Sequence, residues 1–369
     1  MRRIYLDYNA STPISHGARV AMAPYLESAF GNPSSLHWAG VPARAAVEEA
    51  RADIAALLGA ASDEVIFTSG GSEANNLALK GVAFAQRKKG NHIVTSTAEH
   101  PSILAPCEFL SRMGFDITKV PVDRQCRVDP AEVAKAMRPD TILVSIMHAN
   151  NEVGTLNPIT EISRIAHDHG ALMHTDAAQS VGKVETRVDA LGVDLLTMAG
   201  HKFGAPKGVG ALYARRGTPL EPLIHGAGHE SGRRAGTESA ILAAALGAAA
   251  REAADLAPMV RVAALRDRLW TRLSEHFGNR ITLNGHPALR LPNTANISFV
   301  GQVGADILAG LDGVAASTGS ACHAGLVELS PVLAAMGTSP EVGMGAVRFS
   351  LSRATTEDEI DAVVEALAR

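Results

Sequence analysis

The chain has 369 residues, of which 46% are hydrophobic, 20% charged and 4% aromatic, and it carries a formal net charge of −4. That length supports one large α/β body with a smaller one beside it, and the mildly acidic balance offers no electrostatic footprint for nucleic acid. No apolar run approaches the ~20 residues that a membrane-spanning helix needs, and "MRRIYLDYNASTP" turns polar too early for a signal peptide, so none is expected. The three cysteines, Cys107, Cys126 and Cys322, show no CxxC spacing. Neither a disulfide framework nor a zinc or other metal cluster is expected, and free thiols fit a reducing cytoplasm.

In chain order, seven short apolar runs read as strands: "EVIFTS" (64–69), "HIVTST" (92–97), "DITKVPV" (116–122), "TILVSIM" (141–147), "ALMHTD" (171–176), "LLTMA" (195–199) and "GVGALYA" (208–214). Helical patterns such as "SEANNLALKGVAFAQRK" and "ITEISRIAHDHG" separate most of them. Strand, crossover helix and parallel strand in alternation predict a mainly parallel sheet covered on both faces. The pattern changes near residue 250. "REAADLAPMVRVAALRDRLWTRLSEHF" reads as one long helix; "NTANISFV", "GVAAST" and "GAVRFSLS" follow, and then "TTEDEIDAVVEALAR" with a capping-box start. This predicts a large domain over 16–250 and a small α+β domain built from 1–15 and 251–369.

Ligands of such sheets sit beyond the carboxyl ends of the strands, and five of these ends are polar or glycine-rich. Gly70, Gly71 and Ser72 open a helix, as an anion cradle or as a plain glycine turn with a serine cap. His100 follows one strand, as a ring that stacks and moves protons or as a hydrogen-bonded neighbour. Asn150, Asn151 and Glu152 follow another, where an asparagine turn is the plainer reading. Asp176 ends a third strand and could pair with a cation or cap a helix; Gln179 stands three residues on. Lys202, in "LLTMAGHKFGAPKGVGALY", lies between two apolar runs. A lysine beside buried strands is costly unless its charge is lost or paired, and loss of charge is what a Schiff-base lysine needs. Together the lysine, the anion site and the carboxylate match the needs of pyridoxal phosphate.

The motifs "YLDYNASTP", "GNPSS", "FTSGGSEANN", "AEH", "ILVSIMHANNEVG", "HTDAAQSVGK", "GHKFGAPKGVGALY", "GAGHESGRRAGTES", "LPNTANIS", "ASTGSACHAG" and "VRFSLSR" run nearly the whole chain. In this order they resemble the cysteine desulfurases of the class-V aminotransferase family, which are fold-type I enzymes dependent on pyridoxal 5′-phosphate. The resemblance implies a large domain with a mainly parallel seven-stranded sheet and a small α+β C-terminal domain. It implies that Lys202 carries the cofactor, Asp176 pairs its pyridinium nitrogen, Gln179 its ring oxygen, and His100 stacks on the ring. Asn151 would lie near the ring oxygen or the substrate, while Gly71, Ser72 and His201 would hold the phosphate. Thr237 would reach the phosphate of a second subunit, implying a homodimer, and Arg348 would clamp the substrate carboxylate. Ala199 departs from the pattern, because many relatives have serine there.

Cys322 resembles the family's persulfide-forming nucleophile, with His100 as a plausible base for its thiol and His323 beside it in sequence. Cys107 and Cys126 read as inert buried thiols or as simple surface cysteines. The implied reaction converts L-cysteine to L-alanine and leaves a persulfide on Cys322 for a sulfur-acceptor protein. The spacing from Cys322 to Val332 resembles the long-loop branch. The chain stops at Arg369, soon after its last helix, where relatives serving the iron–sulfur scaffold often continue, so tRNA or DNA modification stands beside iron–sulfur assembly as a destination. Three rival readings are a selenocysteine lyase, whose loop "GSACHAG" resembles, a transaminase or other lyase of the family in which Cys322 is incidental, and a silent partner of a true desulfurase.

Overall fold

The computed structural model describes residues 3–318 and 328–369, so Cys322 and His323 lie outside the described residues. Among the described residues twelve strands follow in order: β1 (Ile4–Tyr5), β2 (Val65–Thr68), β3 (His92–Ser96), β4 (Asp116–Val120), β5 (Thr141–Ser145), β6 (Leu172–Asp176), β7 (Leu195–Ala199), β8 (Gly210–Ala214), β9 (Ile281–Asn284), β10 (Thr294–Phe299), β11 (Val314–Ala315) and β12 (Ala346–Ser350). All seven strands expected before residue 215 enter one sheet of order β2-β8-β7-β6-β5-β3-β4. Within it only β8 runs antiparallel to its neighbours β2 and β7; the remaining pairs are parallel.

Alternation along each strand explains why these runs are apolar throughout. Ile66, Ile93, Leu143 and Leu195 point to a core shared with the helices Gly71–Ala85 and Pro101–Arg112. Their neighbours Phe67, Val94, Val144 and Leu196 point to the other core, under Gly40–Leu58, Ile159–Asp168 and Ala240–Ala253. A Cβ on Gly247 would sit 2.7 Å from the Ala50 Cα, so glycine sets how closely the first and last of these three helices pack.

A separate core joins Ile4 and Leu6 to the helices Pro258–Phe277 and Glu357–Leu367 and to β10 and β12. β9, β10 and β12 form an antiparallel sheet, and β1 pairs in parallel with β11. The capping box expected at "TTEDEI" is present, the Thr356 hydroxyl accepting from the Glu359 N–H while the Glu359 carboxylate accepts from Thr356.

The single long helix expected over 251–277 is a correction. The chain forms Ala240–Ala253, breaks, and resumes at Pro258–Phe277. Proline lacks the N–H that a continuous helix needs but fits a first helical turn, and Asp255 accepts from the Ala257 N–H at 2.9 Å within the break. Among the described residues no helix is long and apolar enough to cross a membrane.

Candidate active site

Five strand ends converge on one cavity of about 270 Å³, lined by Gly71, Ser72, His100, Asn151, Asp176, Gln179, His201, Lys202 and Arg348 among others. Nine residues singled out in the sequence are thus brought together. Gly70, at φ +148°, makes the turn out of β2 in a conformation that favours glycine, and Gly71 and Ser72 begin a 15-residue helix. Its first-turn N–H groups have no partners within the helix and carry the positive end of its dipole, a ready site for an anion. A Cβ on Gly71 would lie 3.2 Å from that of Ala199, so the two small residues leave this end of the cavity open.

Asp176 accepts from the Ala178 N–H at 2.9 Å and from Asn75 Nδ2 at 2.8 Å. Asn75 also donates to Ser102 Oγ at 2.8 Å, and that hydroxyl lies 2.7 Å from His100 Nδ1. The Ser102 N–H donates to the same Nδ1 at 3.1 Å, which makes His100 the cap of the helix Pro101–Arg112. A neutral ring with an acceptor at Nδ1 carries its hydrogen on Nε2. Burial lowers the His100 pKa, Asp176 opposing and Lys202 assisting, so the ring is neutral near pH 7.

Lys202 follows β7 and donates to the main-chain oxygens of Asn9 at 2.6 Å and Ala10 at 3.0 Å. Burial foremost, with Arg348 beside it, lowers its amine to about 8 against the pull of Asp176 and Asp7. Its neighbour His201 has Nδ1 3.3 Å from Ser11 Oγ, and burial, Lys202 and Lys207 bring its ring down to about 4. Arg348, on β12, donates to Asp7 Oδ1 at 2.8 Å and to the Asn151 main-chain oxygen at 2.9 Å, while its buried Nε has no partner among the described residues.

Other residues singled out in the sequence stand away from this cavity. Asn150 is a turn residue: its Oδ1 accepts from the N–H groups of Glu152 and Val153 and its amide donates to the Ala98 oxygen. Glu152 is buried and accepts from Ser330. Thr237 lines a different cavity, with Thr68, Ser69 and Arg234. Cys107 and Cys126 are buried free thiols, and burial pushes the Cys107 thiol up to about 12 and that of Cys126 up as well; such thiols are poor nucleophiles.

Sequence reasoning passed over Asn9, Asn75, Ser102 and the buried Glu99. Asn75 could have been found, since on the helix it stands three residues from Ser72 and shares its face. Asn9 lies in the motif "YLDYNASTP", but nothing local marks it as the residue that accepts from Lys202.

The donor set suits pyridoxal phosphate: an anion-binding helix start at one end, a depressed amine, a carboxylate fixed by two N–H groups, and a ring at the cavity edge. Asn75 Oδ1 and Arg348 Nε, both buried and without a partner among the described residues, leave polar capacity for a bound molecule.

Residues 4–363 match the model of the aminotransferase class-V family. The cysteine desulfurase IscS of Dictyoglomus turgidum is 49% identical, over 100% of this chain and 94% of that one. A solved NifS-like protein superposes with a TM-score of 0.92 at 34% identity, covering 99% of this chain and 98% of the other. A structure of SspA in complex with cysteine gives a TM-score of 0.86 at 36% identity, over 96% of this chain and 100% of that one.

Proposed function

The chain belongs to the aminotransferase class-V family, and from that premise we propose that it is a pyridoxal-phosphate-dependent cysteine desulfurase. L-Cysteine and the Cys322 thiol give L-alanine and a Cys322 persulfide: the substrate C–S bond breaks, an S–S bond forms, and the outer sulfur passes to an acceptor protein. The observation that carries this reading is the depressed amine of Lys202 in one cavity with the Asp176 carboxylate and the start of the Gly71–Ala85 helix.

Gly71, Ser72 and His201 would hold the cofactor phosphate, Asp176 its ring nitrogen, Gln179 and Asn151 its ring oxygen, and His100 its face, with Lys202 carrying it. Pyridoxal phosphate, when bound, supplies a sink for the electron pair left at the substrate α-carbon. The chain's own groups do the rest. Lys202, neutral above about pH 8, removes the α-proton. The unpartnered Nε of Arg348 takes the substrate carboxylate in a charge-assisted hydrogen bond. His100 offers its Nε2–H as a proton donor; it accepts a thiol proton at Nε2 only after its hydrogen moves to Nδ1, where Ser102 Oγ is the available acceptor. This orders the two roles of His100, donor in the resting ring and base after the tautomer change.

The reading extends to a homodimer in which Thr237 serves the second subunit's phosphate, to a small domain of 1–15 and 251–369 carrying the Cys322 segment beside a large domain of 16–250, and to a cytoplasmic protein with free thiols. The acceptor's pathway stays with the chemistry of persulfide transfer, whether iron–sulfur assembly, tRNA modification or DNA modification.

The test supplies one preparation with L-cysteine or L-selenocysteine and excess dithiol, and measures sulfide, selenide and alanine beside Cys322→Ala. Sulfide and alanine in equal amounts, with sulfide lost in the variant, are expected. Selenide with almost no sulfide would replace the reading with a selenocysteine lyase, and sulfide release that survives Cys322→Ala would replace it with another lyase of the family in which Cys322 is incidental.

A further inference from the structure

A second buried amine lies behind the cavity. Lys183 is 9% exposed and stands four residues beyond Gln179. Its Nζ donates to Gln179 Oε1 at 2.9 Å and to Asn9 Oδ1 at 3.2 Å. Burial foremost, with the positive charges of Lys202 and Arg348, brings its amine down to about 7. A neutral amine has two N–H groups, and here two amide oxygens take them.

Those two oxygens decide how both amides face. The ends of a glutamine amide are nearly the same in shape, so its orientation is set by its partners. With Oε1 held by Lys183, the Gln179 NH₂ turns the other way and donates to the Asn9 main-chain oxygen at 2.9 Å, the same oxygen that accepts from Lys202. One N–H of Gln179 remains, and Gln179 lines the cavity. Asn9, held at Oδ1 by Lys183 and by Asn293 Nδ2, donates to the Asn151 main-chain oxygen and to Thr294 Oγ1.

We propose that Lys183 is a positioning residue: its amine fixes the Gln179 and Asn9 amides so that Gln179 presents an N–H, and not its oxygen, to the ring oxygen of the cofactor. The inference rests on the role given to Gln179 above. Without Lys183 the Gln179 amide is free to turn over, and its oxygen would then face the ring oxygen.

The visible absorbance of the cofactor on Lys202 reports this directly, because a hydrogen bond to the charged ring oxygen lowers the pH at which that chromophore loses its proton. Asp7, His100, Asp176, His201, Lys207 and Arg348 also face Lys202 or its neighbours and are unchanged between variants. In the cofactor-loaded Lys183→Met protein the spectral midpoint is expected to move upward by about 0.5–1 pH unit, what the loss of one hydrogen bond supplies. Gln179→Leu should shift it in the same direction, and Lys183→Met added to Gln179→Leu should shift it no further. If the methionine variant does not fold, Lys183→Gln, which keeps an N–H for one of the two oxygens, is expected to give a smaller shift of the same sign. An unchanged midpoint in a folded Lys183 variant or in Gln179→Leu overturns the proposal, as does an equal shift from Lys183→Met with and without Gln179. A wild-type protein that gains no visible absorbance with added pyridoxal phosphate would instead overturn the reading on which it rests.

Discussion

The Lys202 cavity has two walls built on different plans. One is the carboxyl edge of the seven-stranded sheet, where Ser72, His100, Asp176 and Lys202 ride on the ends of β2, β3, β6 and β7. Those strands are positioned by apolar cores on both sheet faces, which hold the strand ends in place whatever polar group stands there. The other wall is the N-terminal strap with β10 and β12. Its Asn9 N–H donates to Ser350 Oγ, its Asn9 side chain to Thr294, and its Asp7 pairs with Arg348, contacts that join residues 285 to 341 positions apart. Here the groups that face the cavity also hold the wall together. The sheet wall therefore separates function from stability, while the strap wall fuses them.

The strongest test of that contrast is Lys202→Ala on the sheet wall. Sulfide release is expected to fall by at least about 10²–10⁴-fold, the usual worth of a positioned proton-transfer group, with loss of the visible absorbance. The melting temperature of the cofactor-free protein should hold or rise, since the substitution removes an amine that burial disfavours. A melting temperature that drops sharply would show that Lys202, through Asn9 and Ala10, also supports the fold.

Asn9→Leu tests the other wall. It removes acceptors and donors used by Lys183, Asn293, Asn151 and Thr294 and leaves buried polar groups unpaired. The expected cost is about 2–4 kcal/mol of stability, read by denaturant unfolding of the cofactor-free chain. Unfolding at the wild-type denaturant midpoint, with only activity reduced, would erase the distinction between the walls.

The same contrast explains what the sequence made legible. Strands buried on both faces are continuous apolar runs, so their polar ends stand out, and Thr68–Ser72, Asp176–Gln179 and Gly200–Lys202 could be read before any fold was known. Asp7 and Asn9 sit in a short polar segment with no periodicity, and their importance comes from residues near 294 and 350 that only the fold brings close. Lys183 was missed for a related reason: within "HTDAAQSVGK" it looks like a surface lysine after a turn, and only burial shows that its partners are two amides. The helix break before Pro258 was passed over, although a proline seven residues into a helical pattern marks a first turn as readily as an interior. Ala199 was legible as a departure, and its meaning came from Gly71 opposite.

The sheet wall has one member that departs from its own rule, and the smallest expected effect lies there. Glu99, beneath His100, is 3% exposed and accepts from Ser96 Oγ at 2.7 Å and from the Met147 N–H at 3.0 Å. Burial foremost, with a contribution from Asp176, pushes its carboxyl up to about 8 from an ordinary 4.5, those hydrogen bonds opposing. A group whose folded pKa is raised keeps a proton that the unfolded chain has released, so its contribution is complete below about pH 4.5 and fades as the pH rises through about 8. Glu99→Gln keeps an acceptor for Ser96 and Met147 but cannot ionise. Relative to wild type, its melting temperature should therefore improve by about 1–2 °C for each pH unit between pH 5 and pH 8, the response of a long chain to roughly 1 kcal/mol per unit. Glu152, which burial raises to about 7, and the lysines Lys183 and Lys202 titrate alike in both proteins and cancel in the difference. A constant difference across that range would mean that Glu99 is ionised when folded, stabilised by its hydrogen bonds over its burial, and the carboxyl edge would then carry a second buried negative charge close to Asp176.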